Sequence, residues 1–372
     1  MILMALDHVR DFFGVPANPA DPARASVALF FTRWITHLCA PTFFALTGVG
    51  AYLARRRRPA TDLSRYLLTR GVWLVALEVT VLRCFGYTFN FDYRVTFLSI
   101  LWALGWSMIA LSALVYLPAS LVAWFGVVMI ATHNLFDAVR PASFGALAPL
   151  WSLLHVPSVV VSTPRFVVFA AYPLIPWIGV TAAGYGFGPV FEWSADRRRG
   201  LLRRAGLLAI AAFFVLRAIN VYGDRVPWAV QASSIRTVLS FLNATKYPPS
   251  LLYLLMTLGP AMLILRALDG RTPSALRPAH VFGTVPLFYF IVHLPLIHFL
   301  AVVACAAQYG TVHWMFESPR LDQFPVTFPP GWGFSLSAVY AVWALVVIAM
   351  YPACRWFAGL KQRNDALWLR YL

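Results

Sequence analysis

Charge is what this chain has least of. Asp and Glu together number 14 in 372 residues, Lys occurs only at positions 246 and 361, and charged residues make up 12% of the whole. That is about half the ~25% of an ordinary soluble domain. Cysteine is scarce as well: Cys39, Cys84, Cys305 and Cys354 fall in separate apolar stretches, with no C-x-x-C and no Cys/His ligand spacing. This argues against a disulfide framework and gives no reason to expect a metal; the four read as small packing residues. A cleavable signal peptide pattern is missing, because the first apolar stretch carries charge and no small-residue cleavage site. Internal repeats and long polar linkers are also missing, so residues 1–372 are expected to form a single domain.

What the chain has is hydrophobicity. Apolar residues are 60% of the sequence and mean hydropathy is +0.70. A soluble fold of this length could not bury that much apolar surface. The apolar residues come in runs of about 18–25, the length a helix needs to cross roughly 30 Å of hydrocarbon, where barrel strands would be half as long and alternating. Runs fall near 1–13, 27–54, 66–86, 96–116, 118–136, 166–188, 204–222, 250–267, 281–304 and 335–354. The expected fold is therefore an all-α, polytopic transmembrane bundle of about ten spans.

The excess of base, +16 at neutral pH, raises the question of nucleic acid. Its distribution answers it. Arg55–Arg58, then Arg197–Arg199 with Arg203 and Arg204, then Arg266, Arg271 and Arg277, then Arg355, Lys361, Arg363 and Arg370 each follow an even-numbered run. The other loops are longer and nearly neutral, with Asp92, Asp137, Asp224, Glu317 and Asp322. One orientation satisfies the positive-inside rule throughout, with both termini cytoplasmic, and the expected partner is a lipid bilayer rather than nucleic acid. The inner, cytoplasmic membrane is the expected location. The first run is too short to span alone, since 13 residues at 1.5 Å each give about 20 Å. The expectation is that this methionine lies inside a longer natural first helix.

Ionisable side chains at membrane depth are costly and mark function. Asp7, His8, Arg10 and Asp11 crowd the outer end of the first run, and Arg33 and His37, four apart, share a helix face in the second. Together they point to a polar cavity opening outward. Pro41 interrupts the second run and frees the carbonyl of His37, four residues earlier. A histidine beside such a kink can act as general base. Lys246-Tyr247-Pro248-Pro249-Ser250 opens the eighth run, and Lys246 is placed to bind an anionic group. Elsewhere, Glu78 and Arg83 could form an interhelical polar contact, Arg217 could snorkel outward, and a lone His133 at a helix end reads as structural. His293 and His298, five apart in the ninth run, differ by about 140° around the axis and need not face one site.

The stretches Met4-Ala5-Leu6-Asp7-His8-Val9-Arg10-Asp11-Phe12-Phe13, Thr36-His37-Leu38-Cys39-Ala40-Pro41-Thr42-Phe43-Phe44, Lys246-Tyr247-Pro248-Pro249-Ser250-Leu251-Leu252 and Phe288-Tyr289-Phe290-Ile291-Val292-His293-Leu294 to His298 carry a likeness to a known family. The sequence resembles bacterial membrane proteins with a heparan-α-glucosaminide N-acetyltransferase catalytic-like domain. The resemblance implies transfer of an acetyl group from cytosolic acetyl-CoA to an extracytoplasmic sugar, glycolipid or other acceptor, with a membrane-embedded histidine at the centre. The family pattern has a charged stretch ending in Arg-Gly before the first helix, which this chain lacks. The family's catalytic histidine lies just before the second span, where residues 14–26 here hold none. His8 and His37 are the nearest candidates, and neither is carried over by position.

The site expected from both lines has His37 or His8 as base or transient acetyl carrier, with Asp7 orienting the imidazole. Arg33 or Lys246 would stabilise oxyanion charge, and Arg10, Asp11, Tyr247, His293 and His298 would contact donor or acceptor. Inner arginines such as Arg55–Arg58 or Arg70 would meet the phosphates of acetyl-CoA. The competing class is a proton-coupled transporter or permease of a small polar solute, which also uses buried Asp, His and Arg but usually shows internal repeats. A non-enzymatic scaffold would not need so many polar groups at depth. The small residues from Gly179 to Gly188 could support self-association into a homo-oligomer.

Overall fold

A computed structural model describes residues 1–15, 21, 25–270, 273–321, 323–364 and 366–371. Arg271 and Asp322, used above to orient the loops, lie outside the described residues, as do 16–20 and 22–24 of the first connection. The chain is mostly helical, at 71%, with little sheet.

A helix underlies each of the ten apolar runs. In chain order the α-helices of the described residues, including α7 and α10 outside those runs, are α1 (Ile2–Phe13), α2 (Val27–Thr36), α3 (Cys39–Arg55), α4 (Ala60–Leu77), α5 (Ile100–Leu114), α6 (Ala119–Thr132), α7 (Ala148–Leu154), α8 (Leu174–Phe187), α9 (Ala195–Ile219), α10 (Ser234–Leu242), α11 (Leu251–Leu268), α12 (Arg277–Thr284), α13 (Pro286–Tyr309) and α14 (Leu336–Arg363). Among the described residues six stretches, 27–55, 119–136, 174–192, 251–268, 286–309 and 336–363, are long and apolar enough to cross a membrane, and such apolar helices fit a bilayer. Their starts carry local signals. Ser26, Ser250 and Ser335 accept hydrogen bonds from the amides of Leu29, Tyr253 and Ala338, the side-chain capping that satisfies amides a helix leaves unpaired. Gly310, at φ +69°, ends α13.

Two runs are not single helices. The second divides into α2 and α3 at His37–Leu38, because Pro41 has no N–H to close the turn on the His37 carbonyl. The ninth divides at Val285, where Pro286 begins α13 afresh. Residues at the head of the sixth run form a strand instead of helix: β3 (Val167–Ala170) pairs in parallel with β1 (Val95–Leu98) and antiparallel with β2 (Ser158–Ser162). Val167 and Val168 favour extended backbone, and Pro173, followed by Pro176, delays α8. Between α4 and β1, residues Glu78–Tyr87 wind with π-type spacing.

α3, α5 and α6 pack around α8, α4 pairs with α5 and α9 with α11, while α1 lies against α13 and α14. The close approach of α3 and α8 depends on two glycines: a Cβ on Gly48 would sit 2.0 Å from the Thr181 carbonyl oxygen, and one on Gly184 would sit 2.2 Å from that of Ala45. Gly126 meets Gly179 and Ala183 in the same way between α6 and α8. The small residues of 179–188 are thus used inside one chain. At the end of the bundle bearing Arg55–Arg58, Arg198 holds Asp269 through two bonds of 3.0 and 2.8 Å, and these bonds keep the Asp269 carboxyl below its ordinary range.

Candidate functional site

α1 passes between two cavities. Its first turn, Met1 and Met4, lines an apolar cavity of about 400 Å³. Its last turns, with Asp7, His8, Arg10 and Asp11, line a second, more polar cavity of about 810 Å³. Ile100, at the start of α5, lines both. The apolar cavity is walled by Phe43, Leu67, Leu74, Leu101, Leu104 and Phe290, with Arg58, Tyr66 and Arg70 supplying its polar groups. Arg58 and Arg70 lie toward the arginine-rich end of the bundle, and the polar cavity lies toward the opposite, loop-bearing end.

At the centre of the polar cavity is Asp7. Arg33 Nη1 donates to its two oxygens at 2.6 and 2.5 Å, Arg10 Nη2 donates at 3.0 Å and Thr36 Oγ1 at 3.1 Å. Lys246 Nζ stands 3.8 Å away. Arg10 also donates to Asp11 at 2.6 Å. Three cations thus face two carboxylates, and all five side chains line the cavity. Such groups tolerate low dielectric only when paired and hydrogen-bonded, and removing one partner of a buried pair typically costs about 3–5 kcal/mol. The expected crowd of ionisable residues is therefore one connected network, and Lys246 reaches it from a turn more than 200 positions along the chain.

The acid facing His8 differs from the one expected. Asp7 is committed to its cations, whereas Asp11 Oδ2 lies 3.9 Å from His8 Nδ1. The His8 ring stands 6.0 Å from that of Phe290, a wall residue of the apolar cavity, and 5.3 Å from that of His293. His8 consequently touches the polar cavity and backs onto the apolar one. His37 lines the polar cavity. Its carbonyl, released by Pro41, accepts a 2.9 Å hydrogen bond from Tyr253 Oη, and its Nδ1 has no partner among the described residues.

Tyr247 and Lys246 complete one wall. The Tyr247 and Tyr172 hydroxyls meet at 3.4 Å. Burial pushes the Tyr247 phenol up, but the positive charges of Lys246 and Arg33 outweigh it and the net shift is downward. His293 and His298 do part company as their spacing allows. His293 Nδ1 bonds the Tyr289 and Phe290 carbonyls behind His8. His298 bonds the Met315 carbonyl at 2.7 Å and stacks on Phe89, outside both cavities.

Two further expectations change. Arg217 does not snorkel: it is 1% exposed and donates to the carbonyls of Val226, Ser240, Phe241 and Asn243. Glu78 and Arg83 do not pair. Glu78 accepts from Ser99 Oγ and the Leu101 amide at the start of α5, while Arg83 binds Thr88, Asn90, Asp92 and Ser318. Sequence reasoning gave no role to Thr36 and Tyr253, which steady Asp7 and His37, nor to the cavity walls from Pro157, Phe169, Ala171, Tyr172, Phe324 and Phe328. Thr36 and Tyr253 carried the same faint signal, a hydroxyl within an apolar span.

Against known proteins, one family matches: the sequence model described as Heparan-alpha-glucosaminide N-acetyltransferase, catalytic, covers residues 1–222. That segment contains Asp7, His8, Asp11, Arg33, His37, Arg58 and Arg70, but not Lys246 or His293. No curated protein and no solved structure matches the chain.

Proposed function

Since this membrane protein belongs to the heparan-alpha-glucosaminide N-acetyltransferase catalytic family, we propose that it moves an acetyl group from cytosolic acetyl-CoA to an extracytoplasmic glycan or other polar acceptor. The observation that carries this reading is the pair of cavities meeting at α1 and Ile100. The apolar one suits the pantetheine arm and thioester, with Arg58 and Arg70 positioned for phosphates. The polar one suits a hydroxyl- or amine-bearing acceptor. The donor side is then cytoplasmic, in keeping with the arginine-rich end of the bundle and a topology of about ten spans with both termini inside. The location that follows is the inner membrane.

In this reading the acceptor O–H or N–H gives its proton to His8. The acceptor oxygen or nitrogen attacks the acetyl carbonyl, the carbon–sulfur bond breaks, and the CoA thiolate leaves and takes up the proton. Arg33 and Lys246 supply positive charge for the developing oxyanion. His8 is preferred over His37 because it borders Phe290 and so lies closer to the apolar cavity. Asp11, 3.9 Å from His8 Nδ1, rather than Asp7, is the acid placed to stabilise the His8 imidazolium through its charge.

The test uses the purified full chain in nanodiscs. Acetyl-CoA should raise its melting temperature saturably, and acetyl transfer to added amino sugar or glycolipid should fall by about 100-fold or more in His8→Ala. Full activity in both His8→Ala and His37→Ala would sink the scheme. Uptake of a polar solute driven by a pH gradient, without any acetyl-CoA binding, would make the chain a proton-coupled transporter instead.

A further inference from the structure

A second cluster of titratable side chains lies away from α1. His133 closes α6, Asp137 follows four residues later, and His155 closes α7. One ligand atom from each lies within 4.8 Å of the other two. Both histidines are 1% exposed. We propose that His133, Asp137 and His155 form a binding site for a divalent transition metal of the zinc class, clamping the 137–155 connection to the end of α6.

Hydrogen bonding accounts for only part of the cluster. The Pro249 carbonyl acts on the His133 ring, but among the described residues neither ring nitrogen makes a hydrogen bond of good geometry, and His155 Nδ1 has no partner. A neutral imidazole carries one N–H and one lone pair, and leaving either unmatched in the interior is costly. The nearest approach of His155 to Asp137 is 3.9 Å, from Nε2 to Oδ1, too long for a hydrogen bond. Yet the outer partners are well made. His155 Nε2, the nitrogen that stands 3.9 Å from Asp137, donates to the His133 carbonyl at 2.8 Å, so a metal would take the Nδ1 lone pair, or Nε2 once it releases that carbonyl. Asn134 Nδ2 donates to Asp137 Oδ2 at 2.7 Å, leaving Oδ1 open. Trp151 stacks on His155 at 5.1 Å and 10° and holds its plane. Metal-binding histidines and carboxylates are oriented by this kind of carbonyl and amide contact.

Two imidazoles and one carboxylate, with a fourth position for water, form a donor set that zinc accepts. Zinc–ligand bonds of about 2.0–2.1 Å put tetrahedral donors about 3.4 Å apart, so donor atoms now up to 4.8 Å apart must close in by about 1.4 Å on binding. Asp224 and Arg225 are near enough to act on the Asp137 charge, and the carboxylate of Asp224 is itself engaged by Thr245 and Ser250.

The position gives such a metal a structural consequence. Pro157, two residues beyond His155, lines the polar cavity. Asn134 Oδ1 accepts from the Leu251 amide at 2.9 Å, at the end of the segment carrying Lys246 and Tyr247. A metal here would steady two stretches of cavity wall from outside. The assignment does not depend on the acetyl-transfer reading.

The experiment takes tag-free full chain in detergent, stripped with EDTA and titrated with Zn²⁺, with Co²⁺ as the visible probe of coordination. One zinc per chain should bind, raise the melting temperature and, as cobalt, give the intense absorption of a four-coordinate site. Affinity should drop by about 100-fold in Asp137→Asn and in His155→Gln, at the upper end of what ligand-orienting changes alone produce. Absence of stoichiometric zinc and of any thermal shift in the parent chain overturns the proposal without a variant. So does zinc that binds equally well to whichever variant folds, since it then resides elsewhere, for example at His313 and Glu317.

Discussion

Tyr253 gives its hydroxyl proton to the carbonyl of His37, across 2.9 Å, at the one point in the second span where a proline has taken away the helical donor. Both groups are buried. Tyr253→Phe keeps the ring and leaves that carbonyl without a partner, a loss worth about 1–3 kcal/mol in a buried setting. Thermal unfolding in detergent should show the fall in stability. A variant as stable as the parent would mean that water or a shift of α3 replaces the hydroxyl.

The two carboxylates on α1 should separate cleanly. Asp7→Asn leaves Arg10, Arg33 and Lys246 facing one another, so the expected result is a loss of about 3–5 kcal/mol in folding stability and a poor yield of folded protein. Asp11→Asn removes the charge behind Arg10's 2.6 Å bond but leaves Arg10 and Arg33 on Asp7. It should cost less stability than Asp7→Asn and lower the rate of acetyl transfer by about tenfold to a hundredfold, with a displaced pH profile, by withdrawing the acid beside His8. An identical stability loss in both variants would contradict the division of roles.

Much of this network was legible because charges are rare in so apolar a chain. Asp7, His8, Arg10, Asp11, Arg33, His37, Lys246 and Tyr247 all line the polar cavity, and each stood out against its neighbours. Helix placement was legible for the same reason, since a membrane-length apolar run has few other uses. The pairings were not. That Asp11, not Asp7, faces His8 depends on which acid the distant Arg33 claims. His298 finds its acceptor at Met315, in a separate loop, and Arg217 finds four carbonyls in 226–243. The wall at Phe169 exists because β3 pairs with β1 across some seventy residues, a non-local contact no periodicity announces. The His133–Asp137–His155 cluster had only the four-residue spacing of its first two members as a signal.

On the donor side, Arg58→Ala and Arg70→Ala should each raise the KM for acetyl-CoA by about tenfold while leaving kcat nearly unchanged, because a phosphate contact is made equally in ground and transition states. The double variant should also flatten the dependence of KM on salt. A fall in kcat with unchanged KM would place the donor phosphates elsewhere.

Helix packing offers a sharper contrast. Gly48→Ala forces a methyl to within 2.0 Å of the Thr181 carbonyl oxygen, whereas a Cβ at Gly50, one turn-fraction further along α3, meets nothing within 4 Å. Gly48→Ala should destabilise by several kcal/mol or abolish folding, since backbone on backbone cannot give way. Gly50→Ala should be neutral or stabilise by up to about 1 kcal/mol through helix propensity. Melting temperatures of the two purified variants check the pair.

The Asp269–Arg198 pair gives a pH dependence whose sign is fixed. Hydrogen bonds from Arg198 lower the Asp269 carboxyl from its ordinary value of 3.8. The folded state therefore binds this proton less readily than the unfolded chain, so the pair's contribution is complete above about pH 4 and disappears as the pH falls through the lowered value. Both side chains are partly exposed, at 17% and 16%, so the contribution is about 1 kcal/mol or less and shrinks with salt. Asp269→Asn should melt lower than the parent near pH 7, and the two melting curves should converge on acidification. A gap that stays constant down to the acid limit would show that the difference does not come from the Asp269 charge.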